Sequence, residues 1–119
     1  MTDIKLGPIE TRFANIIWEN EPITTNQLTK LCAAALEWKR TTTYTVLKKL
    51  CDKGLFKTEN STVTALVTKK EYEAMLSQQF VDETFTGSLP AFLTAFGSRK
   101  KLSDAEIDEL QRVIESMRR

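Results

Sequence analysis

The stretch from Leu55 to Val67, LFKTENSTVTALV, carries no helical stripe, and it follows three segments that each carry one. Apolar residues recurring at three- and four-residue steps mark one face of a helix, whereas short β-prone runs flanking a polar pair mark a hairpin. Leu55–Glu59 and Thr62–Val67 are such runs, and Asn60-Ser61 supplies the turn. Any fold for this chain must therefore place one small hairpin behind three helices.

The helices announce their own limits. Gly7-Pro8 opens the first, since proline suits the first helical position. Ile9, Phe13, Ile16 and Ile17 then share a face, and the loop Glu19-Asn20-Glu21-Pro22 ends it. Thr24-Thr25-Asn26-Gln27 is a capping box stapled by Ile23 and Leu28, and Leu28, Leu31, Cys32 and Ala35 form the stripe of the second helix. The third helix runs from about Thr41 to Lys53, with Gly54 as its left-handed stop. Helix, helix, helix, hairpin is the order of a winged helix-turn-helix, and residues 1–70 are expected to form it.

Residues 71–119 read differently. Thr68-Lys69-Lys70-Glu71 is a second capping box, ahead of a face made by Tyr72, Met75, Leu76, Gln79 and Phe80. Thr86-Gly87 interrupts, Ser88 caps a short helix with Leu89, Phe92, Leu93 and Phe96, and Gly97–Lys101 is a basic break. Ser103-Asp104-Ala105-Glu106 caps a last helix whose Ile107, Leu110, Ile114 and Met117 follow a seam-like spacing. Three helices this short have no room for a core of their own, so pairing with a second copy is the physical expectation. The fold class is mainly α with a small β-hairpin: a winged helix-turn-helix followed by a helical dimerisation segment. The homodimer contact is expected from Tyr72, Leu76, Phe80, Leu89, Phe92, Leu93, Phe96, Ile107, Leu110, Ile114 and Met117.

The totals narrow the function. The 119 residues contain no histidine and two distant cysteines, Cys32 and Cys51, both on apolar stripes. Metal sites announce themselves by close Cys/His spacing, and histidine is the commonest general acid–base, so neither a metal, a cofactor nor an enzyme activity is expected. No apolar run reaches the length of a membrane span, so no membrane insertion and a cytoplasmic location are expected. The net charge of +1 hides an asymmetry. Residues 1–70 carry 11 Lys+Arg against 7 Asp+Glu, while residues 71–119 carry 6 against 9. A basic part joined to an acidic part suggests that the two meet different partners.

The third helix, TTTYTVLKKLCDK, concentrates the interest. At 100° per residue, Thr43, Val46, Leu47, Leu50 and Cys51 fall on an inner side. Thr41, Thr45, Lys48 and Asp52 fall on the outer one, with Thr42 and Lys49 on one flank and Tyr44 on the other. The first turn of a recognition helix reaches base edges, where threonine can donate, accept or lay its methyl against thymine. Lysines one turn on neutralise phosphates. Threonines that only cap a helix, and lysines that only face water, would look the same in isolation; the surrounding helix order favours the reader.

Taken together the chain resembles the penicillinase-repressor family, the BlaI/MecI/CopY type of bacterial winged-helix repressors, over nearly all of its length. The resemblance rests on Ile16-Ile17-Trp18, on Thr42-x-x-Thr45-x-Leu47-x-Lys49-Leu50 followed by Lys53-Gly54-Leu55, and on Thr86-Gly87-Ser88-Leu89-Pro90 with Lys101-Leu102-Ser103 through Ile107 and Leu110. It implies a dimer that binds a palindromic double-stranded DNA operator and represses β-lactamase, copper-handling or related genes. On matching positions, DNA contacts fall to Thr41, Thr42, Tyr44, Thr45 and Lys49, with Lys48 beside them.

The chain departs from the family at three points. Thr41 replaces a frequent lysine. The wing reads Asn60-Ser61-Thr62-Val63-Thr64 instead of being rich in Arg and Tyr, which leaves its phosphate contact to Lys57. No cysteine cluster follows Leu102, which argues against copper sensing. In antibiotic-responsive members a membrane sensor protease pathway leads to cleavage before a phenylalanine in the dimerisation segment, and Ala95–Phe96 matches that place. The alternative function is a winged-helix protein-interaction module without DNA binding. A regulator with a ligand pocket at the dimer interface ranks below both.

Overall fold

The computed structural model describes residues 3–119, which form six helices and three short strands. The order is α1 (Pro8–Asn20), β1 (Ile23–Thr24), α2 (Thr25–Leu36), α3 (Arg40–Asp52), β2 (Phe56–Glu59), β3 (Thr62–Ala65), α4 (Lys69–Phe85), α5 (Leu89–Arg99) and α6 (Asp104–Ser116). The chain divides into two compact units, the first ending at Ser77 and the second running from Gln78 to Arg119. This division falls within α4, whose start lies at the expected boundary near residue 70.

The capping signals act as the sequence suggests. Thr24 Oγ1 accepts from the Gln27 amide at 3.1 Å while the Gln27 side chain accepts from the Thr24 amide at 3.1 Å. Thr68 with Glu71 and Ser103 with Glu106 make the same reciprocal pairs. Each satisfies two amides that a helix start would leave orphaned. At the end of α3, Gly54 has φ +82°, its amide donates to Cys51 O at 2.9 Å, and the Leu55 amide donates to Leu50 O at 3.2 Å. That pair of bonds is a Schellman stop, and it turns the chain directly into β2.

Asn60 and Ser61 both have positive φ, 52° and 58°, the backbone that a two-residue hairpin requires. The hairpin is not alone. β1 joins its far side to give an antiparallel sheet in the order β1-β3-β2, with Ile23 opposite Val63 and Thr58 opposite Val63 on the other edge. Two residues are too few to show an alternating pattern, so this strand had no signature in the sequence.

The core of the first unit joins Phe13, Ala14 and Ile17 of α1 to Leu28 and Cys32 of α2, Leu47 and Leu50 of α3, and Phe56 and Val63 of the sheet. Ile9 and Leu31, expected on inner stripes, are exposed. Ile9 lies in the first turn of α1, ahead of the buried Phe13, Ala14 and Ile17. Tyr72 requires a larger correction. It is 5% exposed and lies against Trp18 with ring centroids 5.5 Å apart, so it belongs to this core and not to a surface that could meet a second copy. Leu76 packs partly on the same core.

In the second unit α5 runs on through Gly97, Ser98 and Arg99, so the expected break begins only at Lys100. Phe80, Phe85 and Phe92 meet edge to face with centroids 5.6–6.0 Å apart, and Phe96 adds to Phe92 at 6.0 Å. No described residue from 78 to 119 is fully buried. Leu89, Phe96, Ile107, Val113, Ile114 and Met117 are all exposed, and an apolar groove of about 380 Å³ lies between α5 and α6.

Candidate nucleic-acid interface

The inner side of α3 is settled by packing. Thr43, Leu47 and Leu50 are buried against the first unit's core, while Val46 and Cys51 are half-buried at its margin. That leaves Thr41, Thr42, Tyr44, Thr45, Lys48, Lys49 and Asp52 exposed along one ridge. All six α3 candidates from the sequence therefore share the exposed side of one helix, while Lys57 stands on β2.

The threonine run is compatible with a helix because its hydroxyls bond locally. Thr45 Oγ1 donates to Thr41 O at 2.9 Å, and Thr43 Oγ1 donates to Lys39 O at 3.4 Å. Such back-bonding costs little in an exposed helix and spends only the hydroxyl hydrogen. The Thr45 oxygen keeps lone pairs facing outward, so it can accept from a base edge.

Tyr44 meets two neighbours that sequence reasoning did not single out, Arg40 by a hydrogen bond and Thr25 across a shared groove. Arg40 Nη2 donates to the Tyr44 hydroxyl at 3.1 Å, and the guanidinium carbon lies 5.5 Å from the ring centroid. The Thr25 hydroxyl and then the Arg40 guanidinium hold the phenol below its ordinary pKa. The four-residue step from Arg40 to Tyr44 was visible in the sequence. Thr25 was not, because it comes from the first turn of α2. Its amide also donates to Ser61 O at 2.9 Å, which ties α2 to the hairpin turn. Thr25, Tyr44, Leu47, Lys48, Cys51 and Thr58 line a shallow groove of about 320 Å³ beside the ridge.

The three lysines differ in what they already hold. Lys48 faces Asp52 at 3.4 Å with both side chains well exposed, a pair that water screens to near nothing. Lys57 lies 3.1 Å from Glu59, again at the surface. Lys49 meets Glu10 of α1 at 2.7 Å, and that carboxyl is held below its usual range, first by Lys49 and then by the Gly7 amide. The hairpin tip, Asn60-Ser61, is exposed and carries no charge of its own.

Cys32 is buried, and burial pushes its thiol pKa up, while Cys51 is half-buried with its sulfur 3.8 Å from Thr58 Oγ1. Among the described residues no group of three or more His, Cys, Asp and Glu is placed to hold a metal. None of the helices in that range is long and apolar enough to cross a membrane.

A three-helix unit with a three-stranded wing and an outward third helix defines a winged helix-turn-helix of the transcription-regulator class. The chain belongs to the penicillinase repressor family, whose model matches residues 6–116. Members of that family are DNA-binding regulators and not enzymes. The penicillinase repressor of Bacillus licheniformis is 24% identical over 115 residues, covering 93% of this chain and 90% of its own length. The methicillin resistance regulatory protein MecI of Staphylococcus epidermidis is 23% identical over 114 residues, covering 92% and 93%.

Proposed function

We propose that two copies of this chain, joined through residues 78–119, bind a palindromic operator with one α3 in each major groove and repress the genes it controls. The observation that carries this reading is the outward ridge of α3, Thr41, Thr42, Tyr44, Thr45 and Lys48, backed by the buried Thr43, Leu47 and Leu50. Thr41, Thr42 and Thr45 meet base edges, and Tyr44 is aimed by Arg40. Lys48 takes a phosphate, and Lys57 brings the wing to the backbone. Exchanging an exposed Asp52 for a phosphate costs Lys48 almost nothing.

Self-association is supported by the lack of a buried residue in the second unit. Phe80, Leu89, Phe96, Ile107, Ile114 and Met117 are exposed there, and Phe92, Leu93 and Leu110 line the groove between α5 and α6 or its edges. A second copy is the partner that two-fold operators call for.

Relief of repression is proposed to come from cutting Ala95–Phe96 in a pathway that begins at a membrane sensor protease. Both residues are exposed, yet they lie inside α5 with the Lys100 amide donating to Phe96 O at 3.0 Å. The helix must unwind locally before a protease can hold this bond extended. The site of action is the cytoplasm.

Selection of duplexes from a random library, followed by shift assays across salt, tests the reading. Lys48 and Lys57 of two subunits neutralise about four phosphates and give a log K against log [salt] slope of roughly −3.6. If no duplex of any sequence binds in a salt-dependent way, the chain is instead a winged-helix interaction module, a reading that the uncharged hairpin tip favours.

A further inference from the structure

We infer that Lys49, although it stands on the reading helix, takes no phosphate and works as a positioning residue that sets α3 against α1 through Glu10. This rests on the repressor reading above and deepens it, since the resemblance to known repressors puts Lys49 among the DNA contacts. Its ammonium lies 2.7 Å from Glu10 Oε2, against 3.4 Å between Lys48 and Asp52. The two pairs also differ in wetness: Lys49 and Glu10 are 59% and 21% exposed, Lys48 and Asp52 79% and 68%.

Glu10 is anchored independently of the lysine. Its other carboxylate oxygen accepts the Gly7 amide at 3.1 Å, at the start of α1, where a helix favours negative charge. Were Lys49 to swing to a phosphate, this half-buried carboxylate would lose its counter-charge while a negative backbone approached. Uncovering a partly shielded carboxylate costs more than breaking a pair exposed on both sides, such as Lys48–Asp52.

A second tie lies one turn further along the same face. Lys53 Nζ donates to Asp3 O at 2.7 Å. Lys49 and Lys53 thus both bind back to the segment from Asp3 to Glu10, while Lys48, rotated by one residue, points away. Of Lys48, Lys49 and Lys53, one is available to DNA and two fasten the end of α3 to its own domain.

The experiment compares Lys48→Met, Lys49→Met, Glu10→Gln, the Glu10→Gln/Lys49→Met double variant and Lys49→Arg in the full chain. The probes are a duplex selected by the wild type and a random-sequence duplex, each titrated across salt. Lys48→Met removes one phosphate partner from each subunit and flattens the salt slope by about 0.9 per subunit. Lys49→Met leaves the slope as in wild type and lowers selectivity for the selected duplex by roughly threefold. Glu10→Gln gives the same loss, the double variant is no worse than either single one, and Lys49→Arg restores selectivity. A slope flattened by Lys49→Met as much as by Lys48→Met overturns the inference. So do additive losses in the double variant, or unchanged selectivity in both single variants. Failure of the wild type itself to bind any duplex would instead sink the repressor reading.

Discussion

The hydroxyl of Tyr72 accepts the buried backbone amide of Leu6 at 3.2 Å, a bond between residues 66 positions apart. It fastens the segment before α1 to the first turns of α4, and the same ring packs on Trp18. Trp18 in turn donates through its indole nitrogen to Val67 O at 3.0 Å, so one aromatic pair closes both ends of the winged-helix unit.

Tyr72→Phe should keep the ring contacts and orphan the Leu6 amide, costing about 1 kcal/mol of stability in urea unfolding. Burial raises the Tyr72 pKa, so the folded state holds the phenolic proton more tightly than the unfolded chain does. Its contribution is complete below the free phenol value of about 10 and is lost as the pH rises through the folded value. Tyr72→Phe should remove that part of the alkaline decline in stability.

Thr42→Ala and Thr45→Ala should cost about 1–3 kcal/mol at particular base pairs and little at others. Lys48→Ala should weaken all duplexes alike. Binding to a panel of singly substituted duplexes separates the two patterns, and equal losses at every base pair for the threonine variants would deny them a base contact.

Phe96→Glu and Ile114→Glu should convert a dimer to a monomer in sedimentation at micromolar concentration while leaving the melting of the first unit unchanged. Both side chains are exposed in the single chain, so each substitution loads its penalty onto association. Loss of operator binding should follow. Phe92→Ala differs, because Phe92 sits among Phe80, Phe85 and Phe96, and it should destabilise the second unit itself.

Two glycines should answer to alanine with opposite signs. A Cβ at either Gly54 or Gly97 would meet nothing within 4 Å, so only the backbone decides. Gly54 has φ +82°, where alanine costs about 1–2 kcal/mol. Gly97 lies within the helix α5, where alanine should stabilise by about 0.5–1 kcal/mol. Thermal melts of the two variants read this directly.

Much of the fold was legible because the signals that carry it are short. Three reciprocal caps each span four residues, and the Gly54 stop needs only one residue free to turn left-handed. The inner stripe of α3 was legible too, since helical period alone separates Thr43, Leu47 and Leu50 from Thr41, Thr45 and Lys48. Ile9 and Leu31 show the limit: periodicity says which residues share a face, and not how far the neighbouring helix reaches along it.

By itself the sequence determined where the capped helices begin, where α3 stops at Gly54, where the hairpin turns, and which side of the third helix is greasy. All of these depend on bonds and contacts made within about one helical turn or one hairpin. Only the tertiary structure decided that Ile23-Thr24 completes the sheet, that Tyr72 closes on Leu6, that Thr25 comes to line a groove with Tyr44, and that Lys49 is claimed by Glu10. Those partners lie tens of residues away along the chain or on another element. No local pattern records which distant group will arrive to balance a charge or accept an amide.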